Sequence, residues 1–430
     1  MSTKVFPRSL LHFFRISIVA LVVQKFGGSS MADAECIQRV ARIVKSEKVK
    51  GNAVVVVVSA MGKTTDALVE LSKQITLTPS EREMDMLMST GEQVSVAMLA
   101  MALHVIGVDA ISMTGAQVGI RTDALHTKAR IVEINSEKLL KKLKEGKVVI
   151  VAGFQGVDAE DNITTLGRGG SDTTAVAIAA AIKAEVCDIY SDIDGVYTAD
   201  PRIVLDARKL PTITYDEMLE LAAAGAKVMH SRSIEFAKKY NVVVQVRSSF
   251  APEKIGTFIQ EEGNIMEAPV VSGVTSNKNE SKISILGVPD SPGIAAKLFT
   301  ALAEANFNID MIIQNVSHKG ETDISFTVPK EDFRKAIAVS ETMVKTLNAK
   351  GLIFDENIAK VSVVGVGMKG HSGIASKMFS ALAENKININ MISTSEIKIS
   401  VVIDLKKADD AVNALHKIFD LNESSPVKAF

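Results

Sequence analysis

An α/β half with a largely parallel sheet, followed by a duplicated α+β half, is the fold class that the sequence predicts, on three observations. Short β-branched runs alternate with stretches of helical period from Ile18 to about Phe250. Glycine and proline then punctuate Ala251 to Asn279, and beyond them the chain repeats itself at an offset of 80 residues. At 430 residues, two or three separate cores are expected. The composition, 47% hydrophobic and 23% charged, is that of a folded protein. A formal net charge of -1 leaves no broad cationic field for nucleic acid or anionic lipid, so neither is an expected partner.

In chain order, the first 17 residues set Lys4 and Arg8 beside Leu10, Leu11, Phe13 and Phe14, as a targeting peptide does. Arg15 interrupts the apolar run, no small-residue cleavage site follows, and Ile18 to Val23 is too short to span a bilayer. The segment reads as an N-terminal extension of a cytoplasmic protein. Strands are expected at 18–23, 53–58, 148–152, 186–190 and 242–246, with helices such as Ala34 to Glu47 and Thr173 to Ala184 between them. Cys36 and Cys187 fall in apolar periodic segments, where small buried thiols of a reducing compartment are expected. The punctuated stretch 251–279 reads as a linker with a boundary near residue 265. In the repeat, PGIAAKLFTALAEANFNIDMI from Pro292 matches SGIASKMFSALAENKININMI from Ser372. Strand-like runs ISILGV and VSVVGV precede the copies, and DISFTV and KISVVI follow them, so each copy is a small βαββαβ unit, 280–355 and 356–430.

Several segments carry chemistry. Val22 to Ser30, VVQKFGGSS, is a strand, a lysine and two glycines before a helix, with Ser30 available as the helix cap. Glycine amides and the helix dipole suit a phosphate, and Lys25 supplies charge, although an ordinary strand-to-helix turn with a surface lysine also fits. Gly62-Lys63-Thr64 is not a Walker A loop, since Val57 stands where its first glycine belongs. Ser59 and Thr65 still place small polar groups at the carboxyl edge of a sheet. Glu92 in Ser89-Thr90-Gly91-Glu92 lies between two methionine- and alanine-rich helical stretches, either as a cap or as a hook for an ammonium group. In Thr164 to Thr174, TTLGRGGSDTT, Arg168 suits a carboxylate, the glycines suit phosphate, and Asp172 suits the transfer centre; a loop with an N-cap accounts for Ser171 and Asp172 but not for Arg168. Ser191 to Arg202 follows a strand and offers Asp192, Tyr197 and Arg202 to a nucleotide. Its aspartates imitate a calcium loop, but Arg202 occupies position twelve. Gly365 to Gly370 matches G-x-G-x-x-G, yet the equivalent turn of the first copy, Gly287 to Pro292, shows these glycines to belong to the repeated fold.

The ordered set KFGGSS, SAMGKTTD, STGEQVS, GFQGVDAEDNITTLGRGGSDTT, YSDIDGVYTADPR and GAKVMHSRSIEFA resembles the aspartate kinases, and the tail resembles tandem ACT domains. The resemblance runs from Ile18 to about Leu421 and implies an amino-acid-kinase α/β/α sandwich over 18–250. It implies transfer of the γ-phosphoryl group of ATP to the side-chain carboxylate of aspartate, the first step towards lysine, threonine and methionine. By motif, Lys25, Gly27, Gly28, Ser29, Ser191, Asp192, Tyr197, Arg202, Lys227 and Val228 would hold ATP. Ser59, Thr65, Glu92, Arg168 and Ser171 would hold aspartate, and Lys25 and Asp172 would be catalytic. Mg²⁺ would ride on the nucleotide without a dedicated protein cage. Lysine or threonine would bind between ACT units, at Asp290, Pro292, Gly293, Asn308, Ile309, Asp310 and Gln314 of the first copy and Asn388, Ile389 and Ser395 of the second, with ACT units also pairing chains into an oligomer. Ser29 departs from the threonine of many members. No homoserine dehydrogenase module is expected after the second repeat. A kinase for an acetylated amino acid would share the fold, but Glu92 favours a free α-ammonium; a non-catalytic sensor would be free to lose Lys25 and Asp172, and both are present.

Overall fold

The computed structural model describes residues 20–226, 228–263, 270–305, 307–316, 320–369 and 371–422. The N-terminal extension, Lys227 and Gly370 lie outside them. By packing, the chain divides into two compact units: one runs to Gly167 and takes in Ala177–Asp188, the other comprises Arg168–Val176 and the chain from Ile189 on.

The first unit contains β1 (Leu21–Phe26), α1 (Ala34–Val49), β2 (Ala53–Val58), α2 (Thr64–Lys73), α3 (Glu81–Met88), α4 (Thr90–Val105), β3 (Ala110–Met113), β4 (Ile120–Thr122), β5 (Ile131–Ile134), α5 (Glu137–Lys144), β6 (Val148–Ala152), β7 (Gln155–Val157) and β8 (Ile163–Thr165). The helix α6 (Gly170–Ile182) and the strand β9 (Val186–Ser191) each run through the division. Strands β9, β1, β2, β6 and β3 lie in that order, and β1–β2, β2–β6 and β3–β6 are parallel. Parallel strands covered on both faces need continuous apolar runs, and Val54–Val58 and Val148–Ala152 are buried throughout. A smaller sheet orders β5, β4, β7 and β8. The cap of α1 is Asp33, which accepts from Cys36 N at 2.8 Å, and not Ser30. A 3-10 turn over Gly28–Met31, closed by Ser30 N–H donating to Gly27 O, postpones the helix and uses Ser30 within the loop. Both cysteines are buried, and no disulfide joins them.

The second unit continues with β10 (Thr212–Thr214), α7 (Tyr215–Ala223), α8 (Ser231–Tyr240), β11 (Val244–Ser248) and β12 (Thr257–Gln260), in the strand order β10, β12, β11, β9. It then forms β13 (Gly273–Pro289), α9 (Ile294–Glu304), β14 (Ile312–Val316), β15 (Glu321–Pro329), α10 (Phe333–Thr346), β16 (Gly351–Val364), α11 (Ile374–Glu384), β17 (Met391–Thr394), β18 (Lys398–Asp404) and α12 (Ala408–Ile418). The repeats share one antiparallel sheet, ordered β14-β15-β13-β16-β18-β17. Two long strands cross both copies: residues 280–286 of β13 pair with 351–358 of β16, and residues 273–277 pair with 360–364. The strand bordering β16 in the second copy therefore comes from the chain before the first copy. Each copy keeps its own apolar core, one around Leu298, Leu302 and Phe326, the other around Met378, Leu382 and Leu415.

Candidate active site

In the first unit the loops leaving β1 and β2 interlock at the carboxyl edge. Lys25 is opposite Val57 in the parallel pair and is 8% exposed. Ser59 N–H donates to Phe26 O at 3.0 Å and Gly62 N–H to Gly28 O at 3.1 Å. A Cβ on Gly28 would stand 2.9 Å from Gly62 O and 3.2 Å from Ala60 O, so the close approach requires glycine. Ser29 is exposed in the 3-10 turn, and Thr65 stands in the first turn of α2.

Glu92 reaches the same loop. Its segment has the spacing of a capping box, but Ser89 is itself helical (φ -61°, ψ -18°) because α3 runs into α4, and Ser89 Oγ donates to Met86 O. The capping reading therefore fails, and the carboxylate turns to Ala60, whose N–H donates to Glu92 Oε1 at 3.0 Å. Gly91 admits the contact, since a Cβ there would lie 2.8 Å from Ala60 Cβ. Glu92 is 3% exposed, and its Oε2 is buried with no hydrogen-bond partner among the described residues. Burial pushes its carboxyl up to about 7, against the lowering effect of the Ala60 N–H. A cation with N–H groups is the ligand that would satisfy the oxygen and restore the charge.

In the second unit Arg168 is exposed, and Ser171 and Asp172 lie in the first turn of α6. Gly169 has a φ of +69°, and a Cβ there would lie 2.3 Å from His230 Cβ, so the loop closes on the chain before α8 only as glycine. The Thr173 and Thr174 hydroxyls donate to Gly169 O and Gly170 O. After Ser191, Ile193 N–H donates to Ser191 Oγ, and Asp192 is exposed. Tyr197 OH donates to Asp194 Oδ1 at 2.9 Å; burial first, then this carboxylate, pushes the phenol up to about 12. Arg202 pairs with Asp200 at 2.6 Å and is 83% exposed, so its guanidinium is held by its own loop. Val228 is half-buried. Among the described residues no three His, Cys, Asp or Glu side chains converge as a metal site.

This loop is built onto the second repeat. Ala199 and Val204 belong to the core of Met378, Leu382 and Leu415; Val274 N–H donates to Thr198 O; and Thr198 Oγ1 bonds His416 Nε2 at 2.9 Å. In α7, Glu217 Oε1 accepts from Ser272 Oγ at 2.5 Å and Val366 N at 3.1 Å. The turn that matched a dinucleotide fingerprint thus gives the amide of its second residue, Val366, to a carboxylate. Lys398 pairs with Glu220 at 2.7 Å.

Of the expected effector residues, Asn308, Gln314, Asn388 and Ser395 are exposed, and Pro292 and Gly293 precede α9. Asp290 N–H donates to Gly320 O, and Asp310 pairs with buried Lys360. Ile309 and Ile389 pack into different repeat cores, while the neighbouring Met311 and Met391 share a small cluster with Ile358 and Val402. Gln314 belongs to one edge strand of the sheet, and Ser395 follows the other. A residue that the motifs did not flag is Asp85, fully buried in α3; its only sequence signal is an acid one turn before buried Met88.

One helical stretch among the described residues, Glu81–Val105, is long and apolar enough to cross a membrane, and half of that apolar window is buried inside the protein. The amino acid kinase family model matches residues 20–248, and the ACT domain model matches 283–343 and 361–419. An aspartate kinase of Pseudomonas putida is 54% identical, covering 94% of this chain and 98% of its own. Two crystal structures of Escherichia coli aspartokinase III superpose on it: the complex with aspartate and ADP, called the R-state (27% identity, 93% and 99% covered, TM-score 0.77), and the complex with lysine and aspartate, called the T-state (26%, 94% and 100%, TM-score 0.73). The chain belongs to the aspartate kinases, an amino acid kinase region followed by tandem ACT domains.

Proposed function

We propose that aspartate binds with its α-ammonium on Glu92 and its side-chain carboxylate directed at the γ-phosphate of ATP. The observation that carries the reading is the buried Oε2 of Glu92, without a partner among the described residues, which asks for a cationic donor. The attacking carboxylate is already an anion at neutral pH, so no general base is required. An oxygen of that carboxylate forms the new bond to the γ-phosphorus, the bond to the bridging oxygen breaks, and ADP leaves. Lys25 and the amides of the Gly27–Gly28 loop meet the phosphates, Ser59, Thr65, Arg168 and Ser171 position aspartate, and Asp172 orders the transfer centre. Ser29, Ser191, Asp192, Tyr197, Arg202, Lys227 and Val228 line the nucleotide. Mg²⁺ carried on the phosphates would neutralise the charge of the transferring group.

The kinase region is assigned to 18–250 and the ACT units to 280–355 and 356–430, in a cytoplasmic enzyme that pairs with a second copy through its ACT units. Lysine or threonine on Asp290, Pro292, Gly293, Asn308, Ile309, Asp310, Gln314, Asn388, Ile389 and Ser395 inhibits by favouring an inactive arrangement, which requires unequal affinity for the two states. The nucleotide loop built onto the second repeat supports that coupling. A coupled assay of ADP release with aspartate, glutamate and N-acetylglutamate, with and without lysine and threonine, tests both parts. Turnover with aspartate alone, lowered by one or both effectors, is expected; equal turnover with N-acetylglutamate would contradict the role of Glu92.

A further inference from the structure

We propose that Asp85 is the positioning residue of the aspartate subsite, an inference that rests on reading Glu92 and Arg168 as groups that hold aspartate. Its carboxylate is fully buried and gathers three groups from two other segments: His126 Nδ1 at 2.7 Å, Thr127 N at 3.1 Å to each oxygen, and Thr165 Oγ1 at 2.5 Å. A carboxylate only accepts, so His126 carries its proton on Nδ1 here.

Each partner shapes the chain that leads to Arg168. Thr127 is β-branched and yet sits at φ +63°, a conformation that persists only where the surroundings enforce it. Asp85 enforces it by taking the Thr127 N–H on both oxygens. The Thr127 carbonyl is thereby set against Gly167, where a Cβ would lie 3.1 Å from it and where φ is +74°. Thr165 is held twice: its hydroxyl donates to Asp85, and its carbonyl accepts from Ala129 N at 2.9 Å. Leu166 N–H donates to the carbonyl of Phe154, another non-glycine residue at positive φ (+69°). The chain through Thr165, Leu166 and Gly167 is thus fixed immediately before Arg168.

The other proposed aspartate group depends on the same helix. Ser89 N–H donates to Asp85 O at 3.0 Å, and Gln155 Nε2 donates to Ser89 O at 2.8 Å, three residues before Glu92. Asp85 therefore fixes, through its side chain, the chain that ends at Gly167, and it lies in the helix whose end before Glu92 is held by Gln155. Asparagine in its place would turn an N–H₂ donor toward groups that are themselves donors.

Steady-state kinetics of the full chain test this, with Arg168→Ala, Asp85→Asn, Thr165→Val and Thr165→Ser measured together and the folded fraction of each checked by circular dichroism. Asp85→Asn and Thr165→Val are expected to raise the aspartate KM about tenfold or more while the ATP KM stays within about twofold, because one substrate is displaced and the other is not. Thr165→Ser, which keeps the hydroxyl, is expected to behave like the wild type. Should Asp85→Asn not fold, the Thr165 pair decides the matter. A raised aspartate KM in Arg168→Ala with no selective change in Thr165→Val overturns the positioning role alone. An unchanged aspartate KM in Arg168→Ala overturns the reading on which it rests.

Discussion

Glu92 in the first unit and Glu217 in the second are the same residue, at the same helical position, with the same 3% exposure, and their surroundings give them opposite roles. Each is the third residue of its helix, in the segments Ser89-Thr90-Gly91-Glu92 and Thr214-Tyr215-Asp216-Glu217. Thr214 is extended (φ -76°, ψ 158°), so a capping box forms, and Glu217 Oε2 accepts from Thr214 N and Oγ1. With Ser272 and Val366 on its other oxygen, Glu217 has four donors. Ser89 is helical, so no box forms, and among the described residues Glu92 keeps one donor on Oε1 and none on Oε2. A fully satisfied buried carboxylate is architecture, whereas one left half-satisfied is a place for a ligand.

The comparison can be broken at four points. In the first unit, Lys25→Ala should lower kcat about a thousandfold, because it removes positive charge that meets the transferring phosphoryl group, with an unchanged unfolding midpoint. A rate near wild type would remove the catalytic assignment of that loop. At the opposite pole, Glu217→Ala strands four donors and should cost roughly 3 kcal/mol of stability, read in denaturant, with the aspartate KM of the folded fraction unchanged. A stable variant with weakened aspartate binding would reverse the contrast.

The third point is pH. The Glu92 carboxyl is raised to about 7, so below that pH it is protonated and no longer attracts an ammonium group. The aspartate KM of the wild type should climb by up to about tenfold per unit as pH falls below about 7 and level off above it, while Glu92→Gln shows no such limb. The smallest effect is on stability. A carboxyl whose folded value lies above its ordinary one favours the fold below about 4.5, and that contribution is lost as pH rises through about 7. Glu92→Gln should therefore unfold a few degrees higher than wild type at pH 8, with little difference at pH 4.5. Equal midpoints at pH 8 would mean that the lone oxygen carries no cost.

The alternating runs made the parallel sheet legible, because strands covered on both faces must be apolar throughout, as Val54–Val58 and Val148–Ala152 are. The repeat was legible because it is written twice. Its strand exchange was not: which partner β13 takes along its 17 residues depends on register with β16, and no local pattern encodes that. Lys25 and its two glycines were ambiguous, since an ordinary strand-to-helix turn with a surface lysine fits the same spacing, and only the fold shows Lys25 to be buried. Glu92 was ambiguous because its motif is that of a cap, and only the helical backbone of Ser89 decides otherwise. Asp85 is not legible because it is one of three acids in EREMDMLM, a pattern that resembles a solvated face until His126, Thr127 and Thr165 converge on it from far along the chain.

The central claim, that Glu92 grips the α-ammonium of aspartate, is tested most directly by a binding cycle between protein and ligand. Calorimetric Kd values for aspartate and for succinate, which lacks the amino group, are measured on wild type and Glu92→Gln at pH 8. Aspartate binding should weaken about a hundredfold in the variant while succinate binding changes by no more than about threefold, as expected when one charge-assisted pair is lost. Equal weakening of both ligands would contradict the account and make Glu92 a structural carboxylate like Glu217.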